Sequence, residues 1–93
     1  MSKVYIVVIE STLDYETGLE VEVYADYHQA SESVMSSVYS WKEEGNSFGE
    51  HQEEYHSESD GCLTYEIYEE GDYTRNHITW NIFARNVIPY DGQ

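Results

Sequence analysis

Asp26-Tyr-His-Gln-Ala30-Ser-Glu-Ser-Val34-Met-Ser-Ser-Val38-Tyr-Ser-Trp41-Lys-Glu-Glu-Gly45 is the stretch that decides the fold. Asp26 is a favoured N-cap, and Gln29 stands three residues on, in capping-box position. Tyr27, Ala30, Val34, Val38 and Trp41 recur at three- and four-residue spacing and form one apolar stripe. Glu32, Ser33, Ser36, Ser37 and Ser40 take the other faces. Gly45, just after Lys42, is a natural C-cap. The pattern predicts one helix over about Tyr27 to Glu44. An amphipathic helix must bury its stripe against another element, and the sequence around it offers only strands.

On the N-terminal side, Lys3-Val-Tyr-Ile-Val-Val-Ile9 is continuously apolar and β-branched, the pattern of a strand with both faces at least partly covered. Glu10 to Gly18 reads as a polar connection, a long hairpin loop. Leu19-Glu-Val-Glu-Val-Tyr24 alternates, with Leu19, Val21 and Val23 on one face and Glu20, Glu22 and Tyr24 on the other. On the C-terminal side, Cys62 to Tyr68 alternates with Leu63, Tyr65 and Ile67 together. Glu69 to Asp72 is a turn in which Gly71 supplies positive φ. Tyr73 to Val87 reads as a long strand ended by Pro89, with Ile78, Trp80, Ile82 and Ala84 on one face. Residues 45–61 are polar, with Phe48 and Tyr55 as the large apolar side chains. A structureless stretch of that length is unusual in a small domain, so it is either a functional loop or a polar edge strand around Glu50 to His56.

The fold expected is α+β: one domain spanning residues 1–93, a four-stranded antiparallel sheet in the order β-β-α-β-β with one helix on one face. The core expected is Val4, Ile6, Val8, Val21, Val23, Ala30, Val34, Val38, Trp41, Leu63, Ile67, Ile78, Trp80 and Ile82. The other face would carry Tyr5, Val7, Ile9, Glu20, Glu22, Tyr24, Thr64, Glu66, Tyr68, Thr79, Asn81 and Phe83. A face mixing aromatics with carboxylates is suited to an interface, covered either by a partner, by a second copy, or by the 45–61 segment.

Charge narrows the function. The chain has 19 Asp and Glu against 4 Lys and Arg, a formal charge of −15. Nucleic-acid binding needs a basic footprint that releases counterions from phosphates, and binding at an anionic lipid surface needs one too. Lys3, Lys42, Arg75 and Arg85 are scattered singly, so direct nucleic-acid and membrane contacts are not expected. The 15% aromatic content, with ten tyrosines, separates the chain from disordered acidic tails. The partner chemistry left is a cationic protein surface, with an acidic surface serving solubility alone as the plain alternative. The single cysteine, Cys62, the short apolar start and the lack of a run of about 20 apolar residues lead us to expect a cytoplasmic protein.

No catalytic constellation is legible: there is no phosphate-cradling Gly-rich loop, nucleophile elbow or Cys–His arrangement. His51 and His56, with Glu50, Glu53, Glu54, Asp60 and Cys62 nearby, raise a metal site, but a five-residue spacing suits neither a metalloprotease helix nor a zinc finger. We therefore expect neither enzymatic activity nor a cofactor. The partner-binding residues expected are the acidic rim Glu50, Glu53, Glu54, Glu58, Asp60, Glu66, Glu69, Glu70 and Asp72, with Tyr55, Tyr68 and Tyr73 as aromatic anchors. A spaced carboxylate array can imitate phosphates toward a cleft lined with Arg and Lys.

In size, acidity, one-helix layout and tyrosine-rich surface, the chain resembles small acidic phage-encoded inhibitors of host defence, the anti-CRISPR and DNA-mimic proteins. The resemblance implies a stoichiometric inhibitor that needs no cofactor. It would act in the host cytoplasm by occupying the nucleic-acid-binding site of a protein such as a CRISPR effector. The alternative function is a non-enzymatic, dimeric interaction module or antitoxin-like module using the open sheet face.

Overall fold

Alternation on either side of a single amphipathic helix builds one antiparallel sheet in the computed structural model, which describes residues 3–71 and 75–88. Along the chain the elements are β1 (Lys3–Leu13), β2 (Glu16–Tyr24), α1 (Tyr27–Glu43), β3 (Gln52–Ser59), β4 (Cys62–Glu69) and β5 (Asn76–Asn86). The fold is thus α+β, but its sheet has five strands, in the order β2-β1-β5-β4-β3, where four were expected. The additional strand, β3, comes from the 45–61 stretch and pairs with β4 from Gln52↔Glu69 to Ser59↔Cys62. The last strand lies between the two hairpins, pairing with β1 on one side and β4 on the other.

Helix α1 begins where its cap predicts. The Asp26 carboxylate accepts the His28 amide at 2.8 Å, and the helix ends one residue before the predicted limit, with Gly45 beyond it at φ +84°. Ala30, Val34 and Val38 are its buried residues. They meet Val7 of β1, Ile78, Trp80 and Ile82 of β5, and Leu63 and Ile67 of β4. The register explains why: Val7 stands opposite Ile82, which stands opposite Leu63, and Ile67 stands opposite Ile78, so these side chains share one face. The Trp80 indole N–H, inside this core, donates to Ser37 Oγ at 3.0 Å and so is not left unpaired. Trp41 packs at the margin against Phe48, ring centroids 5.1 Å apart.

Three expectations are corrected. First, the connection from Glu10 to Gly18 is not a long loop. Both strands run on, and a two-residue turn, Asp14–Tyr15, joins Leu13 to Glu16. Both turn residues have positive φ, +53° and +70°, the conformation that matches the twist of a tight hairpin. Arg75 Nε at 3.2 Å from Asp14 Oδ1 and the Asn76 side chain bonded to the Asp14 amide hold this tip against the start of β5. Second, β5 starts at Asn76; Tyr73 and Asp72 lie outside the described residues.

Third, the faces of β1 and β2 are the reverse of those expected. Tyr5, Val7 and Ile9 point toward the helix, together with Glu20, Glu22 and Tyr24. Ile6 and Val8 are only half-buried on the opposite face, beside Val21 and Val23, which are 57% and 61% exposed. Two hydrogen-bonding groups hold β2 this way round: Ser33 of the helix donates to Glu22 at 3.1 Å, and the Tyr24 hydroxyl reaches both Glu22 and Ser33. The helix margin is polar where it meets the edge strand, so the carboxylate side of β2 faces it.

Candidate protein-binding surface

The sheet face away from α1 is divided between two kinds of surface. Over β3 and β4, Glu53 stands opposite Tyr68 and Tyr55 opposite Glu66, a two-by-two grid of carboxylates and phenol rings on one face. Tyr55 is 52% exposed, while Glu66 and Tyr68 are half-buried beside β5. Next to them, Thr64 donates to Asn81 at 2.9 Å. Over β2 and β1 the same face turns apolar: Leu19, Val21, Val23, Ile6, Val8 and Phe83 adjoin one another through the pairs Ile6↔Val23, Val8↔Val21 and Ile6↔Phe83.

The structure does not gather the expected acidic rim into one patch. Glu53, Tyr55, Glu66 and Tyr68 come together as described. Glu54 and Glu58 alternate to the helix side, where they have partners within the chain. Lys42 Nζ lies 2.6 Å from Glu54 Oε1, and the Tyr65 hydroxyl donates to the same oxygen. Burial alone would raise the Glu54 pKa, but these bonds outweigh it and hold the carboxyl below its ordinary value. The bond to Glu54 raises the Lys42 pKa in turn. Glu58 accepts from the Tyr27 hydroxyl, whose ionisation is pushed well up, first by burial and then by that carboxylate. Glu50 sits in the turn before β3. Glu69 accepts from the Asn76 side chain at 2.7 Å, and the Glu70 amide donates to the His51 carbonyl at 2.9 Å. These three mark one end of the β3–β4 hairpin. Asp60 marks the other, in the Asp60–Gly61 turn, roughly 25 Å away at a strand rise of about 3.3 Å per residue.

His51 and His56 are not brought together. His56 is on the helix side of β3 against the Tyr65 ring, centroids 5.2 Å apart. Among the described residues, no three His, Cys, Asp or Glu side chains are grouped so as to hold a metal ion. Cys62 is exposed at the start of β4. No described helix is long and apolar enough to cross a membrane.

Sequence reasoning missed the apolar half of the face. A continuous apolar run such as β1 does not say which alternate set is inward, and for β2 alternation was read as apolar-in. It also missed a groove of about 460 Å³ between the C-terminal half of α1 and the sheet, lined in part by Ile9, Gly18, Glu20, Trp41, Glu44 and Trp80. No pattern in the sequence pairs those residues. Comparison with protein-family models, curated proteins and solved structures gave no match.

Proposed function

We propose that the chain is a stoichiometric protein inhibitor, of anti-CRISPR or DNA-mimic type, that occupies the cationic nucleic-acid-binding site of a host defence or nucleic-acid-processing protein in the cytoplasm. It works by binding, without catalysis, metal or cofactor. The observation that carries this reading is the grid of Glu53, Tyr55, Glu66 and Tyr68 on the paired β3–β4 hairpin of a chain with formal charge −15. Glu53 and Glu66 stand diagonally across the two strands, about 7–8 Å apart, so the carboxylates are spaced on the scale of nucleic-acid phosphates and each faces a ring that can stack on Arg. Glu54 and Glu58 alternate to the helix side of β3, away from this grid, and support the hairpin there.

The test is capture of partners from bacterial lysate at low salt, elution at about 0.5 M salt, where the screening length falls to a few Å, and competition of the eluted protein with its own nucleic acid. The expected result is one dominant nucleic-acid enzyme whose DNA or RNA the chain displaces one-to-one. Glu53→Lys with Glu66→Lys should abolish displacement and leave the fold intact. Recovery of basic proteins in proportion to their abundance, or full displacement by the double variant, refutes the proposal. The apolar half of the face favours a second reading, an interaction module that dimerises or binds another chain there; Phe83→Asp should break such a complex, while the Lys substitutions leave it unchanged.

A further inference from the structure

Among the described residues, the edge strand β2 has a neighbour on one side only. Its pairing with β1 is unbroken from Tyr24↔Tyr5 to Glu16↔Leu13, and a two-residue turn closes Leu13 and Glu16 as a hydrogen-bonded pair. Antiparallel alternation then directs the backbone of Gly18, Glu20, Glu22 and Tyr24 to β1, and the N–H and C=O groups of Thr17, Leu19, Val21 and Val23 outward. A strand of this length with an open row of donors and acceptors is a template for another strand. β2 carries no Pro, Lys or bulge that would block pairing.

What the edge would accept is set by its two sides. On the open face, Leu19, Val21 and Val23 are 67%, 57% and 61% exposed and continue into Ile6 and Val8. On the helix side stand Glu20 and Glu22; among the described residues, neither is in an ion pair. The groove beneath α1 reaches β2 at Gly18, Leu19 and Glu20, and Trp41 and Glu44 of the helix end also line it. Gly18 has no side chain to fill its floor, and a Cβ there would come within 2.9 Å of Ser11 Oγ. A groove lined by two carboxylates and an indole suits a long cationic side chain.

A second copy of the chain does not fit. In a two-fold antiparallel pairing of β2 with itself, opposite residues share a face. Every register centred on residues 18 to 22 then sets a glutamate among Glu16, Glu20 and Glu22 against another glutamate, which is destabilising.

We infer that β2 is a strand-docking edge for an extended segment of another protein with Lys or Arg at alternate positions and apolar residues between them. The main chain pairs with Thr17 to Val23, the apolar side chains lie on Leu19, Val21 and Val23, and a basic side chain enters the groove at Glu20. β2 and β3 are opposite edges of the sheet, so this site is separate from the acidic hairpin face and is tested separately.

The experiment titrates the full chain with a nine-residue peptide of alternating Arg and Val, and with a peptide of the same composition whose arginines are grouped at one end. Backbone amide NMR shifts and tryptophan fluorescence are the readouts. The alternating peptide is expected to bind at least tenfold tighter than the grouped one, with amide shifts at Thr17, Leu19, Val21 and Val23 and a change in indole emission. Val21→Pro, which removes an outward donor at a position where an edge strand tolerates it, should abolish the preference. Should that variant misfold, Glu20→Lys is the second probe, since it leaves the Glu22 bonds to Ser33 and Tyr24 in place, and it should shift the preference toward an alternating Glu–Val peptide. Equal affinity for the two arginine peptides, shifts confined to the β3–β4 hairpin, or β2-mediated self-association in sedimentation overturns the inference.

Discussion

Exchange of Val7 and of Val21 for threonine separates the two faces of the sheet with one chemistry. Both positions are mid-strand, and Thr keeps the β-branched shape and the strand preference, so backbone effects largely cancel. Val7 is fully buried against Ile82 and the helix. There the change replaces a buried methyl, worth about 0.8 kcal/mol, with a hydroxyl whose burial without a partner costs about 1–3 kcal/mol. The sum is about 2–4 kcal/mol, against a total stability of roughly 5–10 kcal/mol for a domain of this size. Val21, 57% exposed, keeps its hydroxyl in water, and the same substitution should stay within about 0.5 kcal/mol. Urea unfolding followed by far-UV circular dichroism reads both. At m of about 1 kcal/mol/M the Val7→Thr midpoint falls by about 2–4 M and Val21→Thr scarcely moves. In a thermal melt the first shift is about 10–30 °C. Equal losses at the two positions, or a larger loss at Val21, would show that β2 buries Leu19, Val21 and Val23 and that the assigned faces are wrong.

Three further outcomes are expected. Gly61→Ala should destabilise the chain by about 1–2 kcal/mol, because Gly61 sits at φ +78° and an added Cβ would stand 3.2 Å from the Tyr5 ring; a neutral result in the same urea assay would mean that the Asp60–Gly61 turn is not formed as described. Lys42→Met should cost under about 1 kcal/mol at neutral pH, since both partners of the Glu54 pair are more than a third exposed. The Glu54 pKa is lowered in the folded chain, so its contribution is present above its unfolded value and is lost as pH falls through the folded one; the difference between wild type and Lys42→Met should therefore vanish in acid, and a constant difference down to about pH 2 contradicts the pairing. The melting temperature should rise from low salt to about 0.3 M as self-repulsion of the acidic surface is screened, and a fall would show that these charges act mainly through attractive pairs.

The helix was legible because three independent signals coincide at it: the Asp26 cap, the stripe through Ala30, Val34 and Val38, and Gly45. The inward set of β4 and β5 was legible from Leu63, Ile67, Ile78, Trp80 and Ile82, since those strands are central and their inner positions are apolar. β3 gave no apolar signal, because every residue from Glu53 to Ser59 is exposed; β4 pairing and the Asp60–Gly61 turn hold it, and that Asp-Gly pair was the available clue. The face of β2 was misread because alternation identifies two sets without saying which is inward. Near an edge the answer depends on Ser33 and Tyr24 reaching Glu22, a contact between residues up to eleven apart that no local window contains. The proposed contact residues were legible as a composition of acid and tyrosine. Their division between the two sides of β3 was not.

The position of β5 has a consequence for how the molecule forms. Pairs such as Lys3↔Asn86 and Val7↔Ile82 join positions more than seventy residues apart. Up to Asn76 the chain holds an N-terminal hairpin, a helix and a second hairpin, and the residues that join them, Ile78, Trp80 and Ile82, have yet to be made. Folding of this sheet therefore waits until β5 has left the ribosome. Such sequence-distant pairing requires a large loop closure before burial rewards it, which places folding toward the millisecond-to-second end for small domains. Until the final strand is inserted, the apolar edge of β1 stays open, and that interval is when the nascent chain is most exposed to proteolysis and aggregation.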